Sequence, residues 1–152
     1  MRRLVQGLMV AGAATAAALF AAGPATAAPV WQSFTPNANW VDCSTSVNHR
    51  VSANIAIQTC LVRTPDRTKQ QAMLVLANRG TKGANVTRNN ILTSFGGNAS
   101  CNETRLDPGE QIGCFGPTVG TKCDNSNSAE ALVTINGLED RTNSASAYVR
   151  CG

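Results

Sequence analysis

Ala99–Gly116 reads Ala-Ser-Cys-Asn-Glu-Thr-Arg-Leu-Asp-Pro-Gly-Glu-Gln-Ile-Gly-Cys-Phe-Gly. Two cysteines, Cys101 and Cys114, flank Leu106-Asp107-Pro108-Gly109-Glu110. Proline presets φ for the second position of a β-turn, and glycine accepts the positive φ that a type II turn needs next. The stretch predicts strand, tight turn, strand. Its closure would bring Cys101 and Cys114 face to face.

The chain on either side supports an all-β reading. Val51–Val62 alternates, with Val51, Ala53, Ile55, Ile57, Thr59 and Leu61 on one face. That is the pattern of a half-buried strand. Cys60 falls on the opposite, polar side, so its bridge lies outside the core or a bulge shifts the phase. Cys43 stands at a distance that suits a local cross-strand bridge to Cys60. Ala72–Ala77 is apolar on both faces and short, which predicts a central strand. Thr64-Pro65-Asp66-Arg67 is a turn. Val86–Phe95 is a weaker strand, stopped by Gly96-Gly97-Asn98. Gly116–Asn127 reads as a loop pinned by Cys123. Ala129–Ile135 and Ala145–Cys151 alternate again, around Asn136-Gly137, a strong hairpin signal. Leu138–Asn143 resembles loop and would lengthen that connection. Antiparallel pairing of these two strands would set Cys123 beside Cys151.

The first residues read as a targeting segment. Met1-Arg2-Arg3 is positive, Leu4–Ala22 is apolar and alanine-rich, and Ala25-Thr26-Ala27 is a small-residue cleavage site. Residues 1–27 are therefore expected to be a signal peptide, with cleavage after Ala28 as the close alternative. Residues 28–42 read as an extended lead-in whose Trp31, Phe34 and Trp40 are expected to cap the core edge, since Trp is mostly buried, with an exposed sticky patch as the alternative. Residues 43–152 form the expected domain. About 125 residues remain after cleavage, enough for one core. No later apolar run reaches the length that spans a bilayer. All six cysteines follow the signal, which predicts three disulfides and a secreted, extracellular protein. Sequential pairing is expected: Cys43–Cys60, Cys101–Cys114 and Cys123–Cys151.

Met73–Val149 resembles the immunoglobulin-like extracellular domains of bacterial surface and secreted proteins. The residues that carry the likeness are Asn78-Arg79-Gly80, Cys101, Leu106-Asp107-Pro108-Gly109-Glu110 and Cys114. In those domains a strand ends in an Asn-x-Gly turn, and a Leu-x-Pro-Gly-Glu turn follows between cysteines. The other four cysteines depart from the usual single bridge. With its alanine-rich signal, the whole chain looks like a small secreted actinobacterial protein. The expected fold is an antiparallel immunoglobulin-like β-sandwich of about seven strands, stapled by disulfides.

Chemistry is harder to find. His49 is the one histidine, and with Asp42 and Ser44 nearby it is the only base around which a hydrolase could be built. The simpler reading is a surface histidine. Glu103, Asp107, Glu110, Glu130, Glu139 and Asp140 offer carboxylates, but nothing singles out a pair. Asp124, Ser126 and Ser128 have the alternate spacing of a calcium loop, yet Ala129 stands where such a loop needs glycine. Asn85, Asn98 and Asn102 begin glycosylation-type triplets, which the polar composition explains without glycans. No metal and no cofactor is expected. Without Arg2 and Arg3 the 13 basic residues fall to 11, scattered singly against 9 acidic ones. No clustered basic face for nucleic acid is visible.

These readings converge on a non-enzymatic binding domain outside the cell. Its partner would be an extracellular protein or a cell-wall polymer, with no membrane contact after signal cleavage. Thr118, Val119, Thr121, Lys122 and Asp124 form the candidate binding loop, because a disulfide-pinned loop loses little entropy on docking. The alternative is an enzyme inhibitor that offers the same loop as a substrate mimic.

Overall fold

The computed structural model describes residues 29–34 and 41–150. The expected signal peptide, Trp40 and Cys151 lie outside the described residues. Among the described residues, twelve strands form two antiparallel sheets that pack as the expected β-sandwich. They are β1 (Trp31–Ser33), β2 (Val41–Cys43), β3 (Val47–Asn48), β4 (Ile55–Arg63), β5 (Lys69–Asn78), β6 (Ala84–Thr93), β7 (Thr104–Leu106), β8 (Gln111–Phe115), β9 (Val119–Gly120), β10 (Asn125–Ile135), β11 (Leu138–Arg141) and β12 (Ala145–Val149). The first sheet runs β1-β8-β5-β4-β2, with β3 also on β4 and β9 also on β5. The second runs β11-β10-β6-β7, with β12 also on β10. The count exceeds about seven because two- and three-residue pairings are too short to leave a periodic signal.

β5 explains its own sequence. Ala72, Leu74 and Leu76 face the main core between the sheets. Met73 and Val75 face outward, into a second cluster with Cys60 that Phe34, Val41, Val62 and Phe115 cover. A strand buried on both faces must be apolar on both, and β5 is central in its sheet. The same geometry settles Cys60. The β4–β5 register is unbroken, so Cys60 points out of the main core and bridges Cys43 on the outer side.

The Leu106–Glu110 stretch holds the principal correction. Its turn is as expected: the Glu110 N–H donates to the Asp107 carbonyl at 3.1 Å, and Gly109 has φ 76°. Its arms, however, do not pair with each other. β7 joins β6 in the second sheet, and β8 joins β5 in the first. The turn is a crossover between sheets. Cys101–Cys114 is formed, and both cysteines sit in the main core, so the bridge ties the sheets together rather than closing a hairpin. Asn89, buried on β6, fixes Cys101: its Oδ1 accepts from the Cys101 N–H at 2.7 Å and its Nδ2 donates to the Cys101 carbonyl at 3.2 Å.

Four further readings change. The strand expected from Val51 begins at Ile55, because residues 49–55 fold back in a loop held by His49 N–H to Ile55 O at 2.7 Å and Ser52 N–H to His49 O at 2.9 Å. Within the stretch read as a lead-in, Trp31–Ser33 pairs with β8 and Val41–Cys43 with β4. Trp31 packs on the main core, and its indole N–H donates to the Asn102 carbonyl at 2.7 Å. Asn136-Gly137 closes a two-residue turn, φ 49° and 81°, and strand pairing resumes at once with Ile135 opposite Leu138. Finally, Ser126 and Ser128 belong to β10 and pair with Tyr148 and Ser146. The spacing read as a calcium loop is strand alternation.

Candidate functional site

The loop between β8 and β10 lies at one end of the sandwich and is fastened along its length. The Gly116 N–H donates to the Ala72 carbonyl at 2.8 Å. Val119 and Gly120 then form β9, opposite Gln70 and Lys69. The Thr121 N–H donates to the Thr68 carbonyl at 3.0 Å, and the Asp124 N–H to the Val149 carbonyl at 2.7 Å. Asn127, buried on β10, donates from Nδ2 to the Lys122 carbonyl at 3.0 Å and accepts from Gln70 Nε2 at 2.9 Å. Cys123 is disulfide-bonded.

The five candidate residues divide by direction. Thr118, Lys122 and Asp124 are exposed, whereas Val119 and Thr121 are half-buried. Val119 packs against the main core. Thr118 Oγ1 donates to Gln71 Oε1 at 3.0 Å, and Lys122 Nζ donates to the Ser94 carbonyl at 2.9 Å. Asp124 takes a left-handed conformation, φ 49°, where the chain turns into β10. The neighbouring 64–68 turn carries Asp66, whose carboxyl lies below the usual aspartate range because the Thr64 hydroxyl, then the Thr68 N–H and hydroxyl, donate to it. Thr121 joins the two loops through Thr68, so Thr118, Lys122, Asp124 and Asp66 share one end of the molecule.

His49 is neither a surface residue nor part of a triad. It is buried, 1% exposed. Its Nε2 lies 3.2 Å from the Val133 carbonyl, and its Nδ1 accepts from the Val51 N–H at 3.1 Å. A carbonyl can only accept and an N–H can only donate, so the ring is neutral with its proton on Nε2. Both nitrogens are committed to backbone. The carboxylates are spread over local roles. Asp107 pairs with Arg105 at 2.8 Å and Glu130 with Arg141 at 3.2 Å. Glu110 accepts from the Asp107 N–H at 2.8 Å. Burial pushes the Asp140 carboxyl up, but N–H donation from Arg50 and Arg141, with the charge of Arg50, brings it below the ordinary aspartate value. Among the described residues, no group of three His, Cys, Asp or Glu is placed to hold a metal ion. No helix among them is long and apolar enough to cross a membrane.

The opposite end carries a cleft of about 440 Å³, lined by Ser52, Asn54, Asn78, Thr81, Lys82 and Asn136 among others. Its wall comes from three loops far apart in sequence, which is why no local motif announces it. Asn78 and Asn136 carry turn signals; their role as neighbours is a product of the sandwich topology.

No protein-family model matches the chain, and no curated protein matches it. Among solved structures it is similar to the GAE domain of GGA2p from Saccharomyces cerevisiae, with 13% identity and a TM-score of 0.35 over 68% of this chain and 94% of that one.

Proposed function

We propose that the chain is a secreted, non-enzymatic binding domain acting at or outside the cell surface, with an extracellular protein or wall polymer as its partner. The observation that carries this reading is the fastened loop at residues 116–124. A ligand meeting Thr118, Lys122 and Asp124 finds them on backbone already held by β9 pairing, by the Thr68 and Val149 carbonyls and by the Cys123 disulfide. Little ordering cost is left for the binding step, so each contact counts more. The signal-like residues 1–27 and the disulfides fit an oxidising compartment. The inward turn of Val119 and Thr121 weighs against the inhibitor reading, since a substrate mimic needs a longer exposed run.

The test immobilises the oxidised chain from residue 28 onward and exposes it to secretome and wall fragments. A second column carries the Thr118→Ala/Lys122→Ala/Asp124→Ala variant. The expected result is a wall polymer or surface protein retained by the first column and at least tenfold depleted on the second. One enriched enzyme whose rate falls on addition of the domain would support inhibition instead. Equal retention on both columns, or none above a reduced, unfolded control, would overturn the loop as the binding site.

A further inference from the structure

Two of the bridges differ in a way that matters for thiol chemistry. Cys101–Cys114 is buried, at 8% and 0% exposure, and its Cα atoms are 6.3 Å apart. Cys43 and Cys60 stand directly opposite one another on β2 and β4. Their Cα atoms are 4.0 Å apart, closer than the span of roughly 4.4–6.8 Å that disulfides usually adopt, and such departures make a bridge easier to reduce. Cys43 is an exposed residue while Cys60 is fully buried, so a reductant approaches the bridge from the Cys43 side. Exchange rates depend on that access.

The surroundings decide what reduction would release. β2 is a three-residue edge strand. On its C-terminal side Ser44 is tied to β4 independently of the bridge: its N–H donates to the Thr59 carbonyl at 2.9 Å, its Oγ accepts from the Thr59 N–H at 3.3 Å, and its carbonyl accepts from Gln58 Nε2 at 2.6 Å. Before Cys43, the ties among the described residues beyond the β2–β4 ladder are the Asp42–Arg63 ion pair, with Asp42 partly exposed, and the packing of β2 on β12. Val41 covers the outer cluster of Cys60, Met73 and Val75.

We propose that Cys43–Cys60 is a redox-sensitive latch that frees Val41–Cys43 while the sandwich stays folded. A dithiol supplies the electrons. Its first thiolate attacks Cys43 Sγ, the Sγ–Sγ bond breaks, and Cys60 leaves as a thiolate that takes a proton. The second thiol of the reductant then attacks the mixed disulfide, expels Cys43 as a thiolate and closes the reductant's own disulfide. Two electrons pass to the protein. Val41–Cys43 swings out about Ser44, opening the Val41 side of the Met73–Val75 cluster and the β4 edge at Cys60–Val62. An open strand edge beside an apolar cluster is a template for strand addition by a partner peptide.

The experiment treats the full oxidised chain with limiting dithiothreitol, traps thiols with iodoacetamide over time and quantifies each cysteine by mass spectrometry. Hydrogen exchange is recorded on the same samples. Cys43 and Cys60 are expected to be alkylated at least tenfold faster than Cys101 and Cys114. Exchange should rise at 41–43 and 60–62, with β6 and β10 still protected. Equal alkylation rates, or thiols that appear only with loss of protection in β6 and β10, would overturn the latch. The Cys43→Ser/Cys60→Ser variant should show the raised exchange at 41–43 without reductant; a pattern identical to the oxidised chain would refute the release of β2.

Discussion

At the scale of single residues, the interior is held by polar groups that find partners far away in sequence. His49 joins the 49–55 loop to Val133 on β10, and Thr59 on β4 meets Thr142 at 2.6 Å between hydroxyls. Removing one member of such a pair leaves a buried partner unsatisfied, at about 1–3 kcal/mol. His49→Ala should therefore lower unfolding free energy by about that amount in urea titrations, while any binding tied to Thr118, Lys122 and Asp124 is retained at saturating folded protein. Loss of binding from a fully folded His49→Ala protein would return His49 to a functional role. Asp140 gives a pH prediction. Its folded value lies below its unfolded one, so the folded state favours the carboxylate. The stabilisation is fully present above the unfolded value of about 3.9 and fades as pH falls through the folded one. Asp140→Asn should be less stable than the parent at pH 6, and the gap between their urea midpoints should close below about pH 4. A gap independent of pH would show that the carboxylate charge is not involved.

At the scale of elements, turns enforce geometry that side chains would resist. Gly137 at φ 81° completes the two-residue turn between β10 and β11. Alanine there should cost about 1–2 kcal/mol, the penalty for a Cβ in left-handed backbone. Gly120→Ala is the control, since a Cβ at Gly120 meets nothing within 4 Å, and it should leave the melting temperature nearly unchanged. Equal effects would mean that the turn conformation is not what Gly137 supplies. Turns were also the most legible elements. Asn136-Gly137 and Asp107-Pro108-Gly109-Glu110 carry their conformation in two to four residues, alternation exposed β4 and β10, and a short run apolar on both faces exposed β5. What the arms of a turn pair with is decided elsewhere. β7 and β8 flank the same turn yet join different sheets, and Leu106 and Ile112 reach the shared core from the two sides. The candidate loop was legible as a pinned segment. Its inward Val119 was not, since one exposed-looking valine among Thr, Gly and Lys carries no period.

At the scale of the whole molecule, the two sheets face each other across a core in which Cys101–Cys114 is a covalent link. Cys43–Cys60 encloses a comparable stretch of chain, with sequence separations of 17 and 13 for the outer and inner bridges. In the loop-entropy model the two differ by only about 0.2 kcal/mol, in favour of the longer loop. Position should reverse that order. Replacing Cys101 and Cys114 with alanine removes packed sulfur from the centre of the core, which adds a cavity cost to the entropy term. Replacing Cys43 and Cys60 opens an edge strand and relieves a compressed cross-strand pair. The Cys101→Ala/Cys114→Ala protein should therefore lose about 2–5 kcal/mol, and the Cys43→Ala/Cys60→Ala protein distinctly less, measured by urea unfolding of both against the oxidised parent. If the outer pair proves as costly as the inner one, loop entropy alone governs both bridges, and the sandwich does not depend on its inter-sheet bridge more than on its edge.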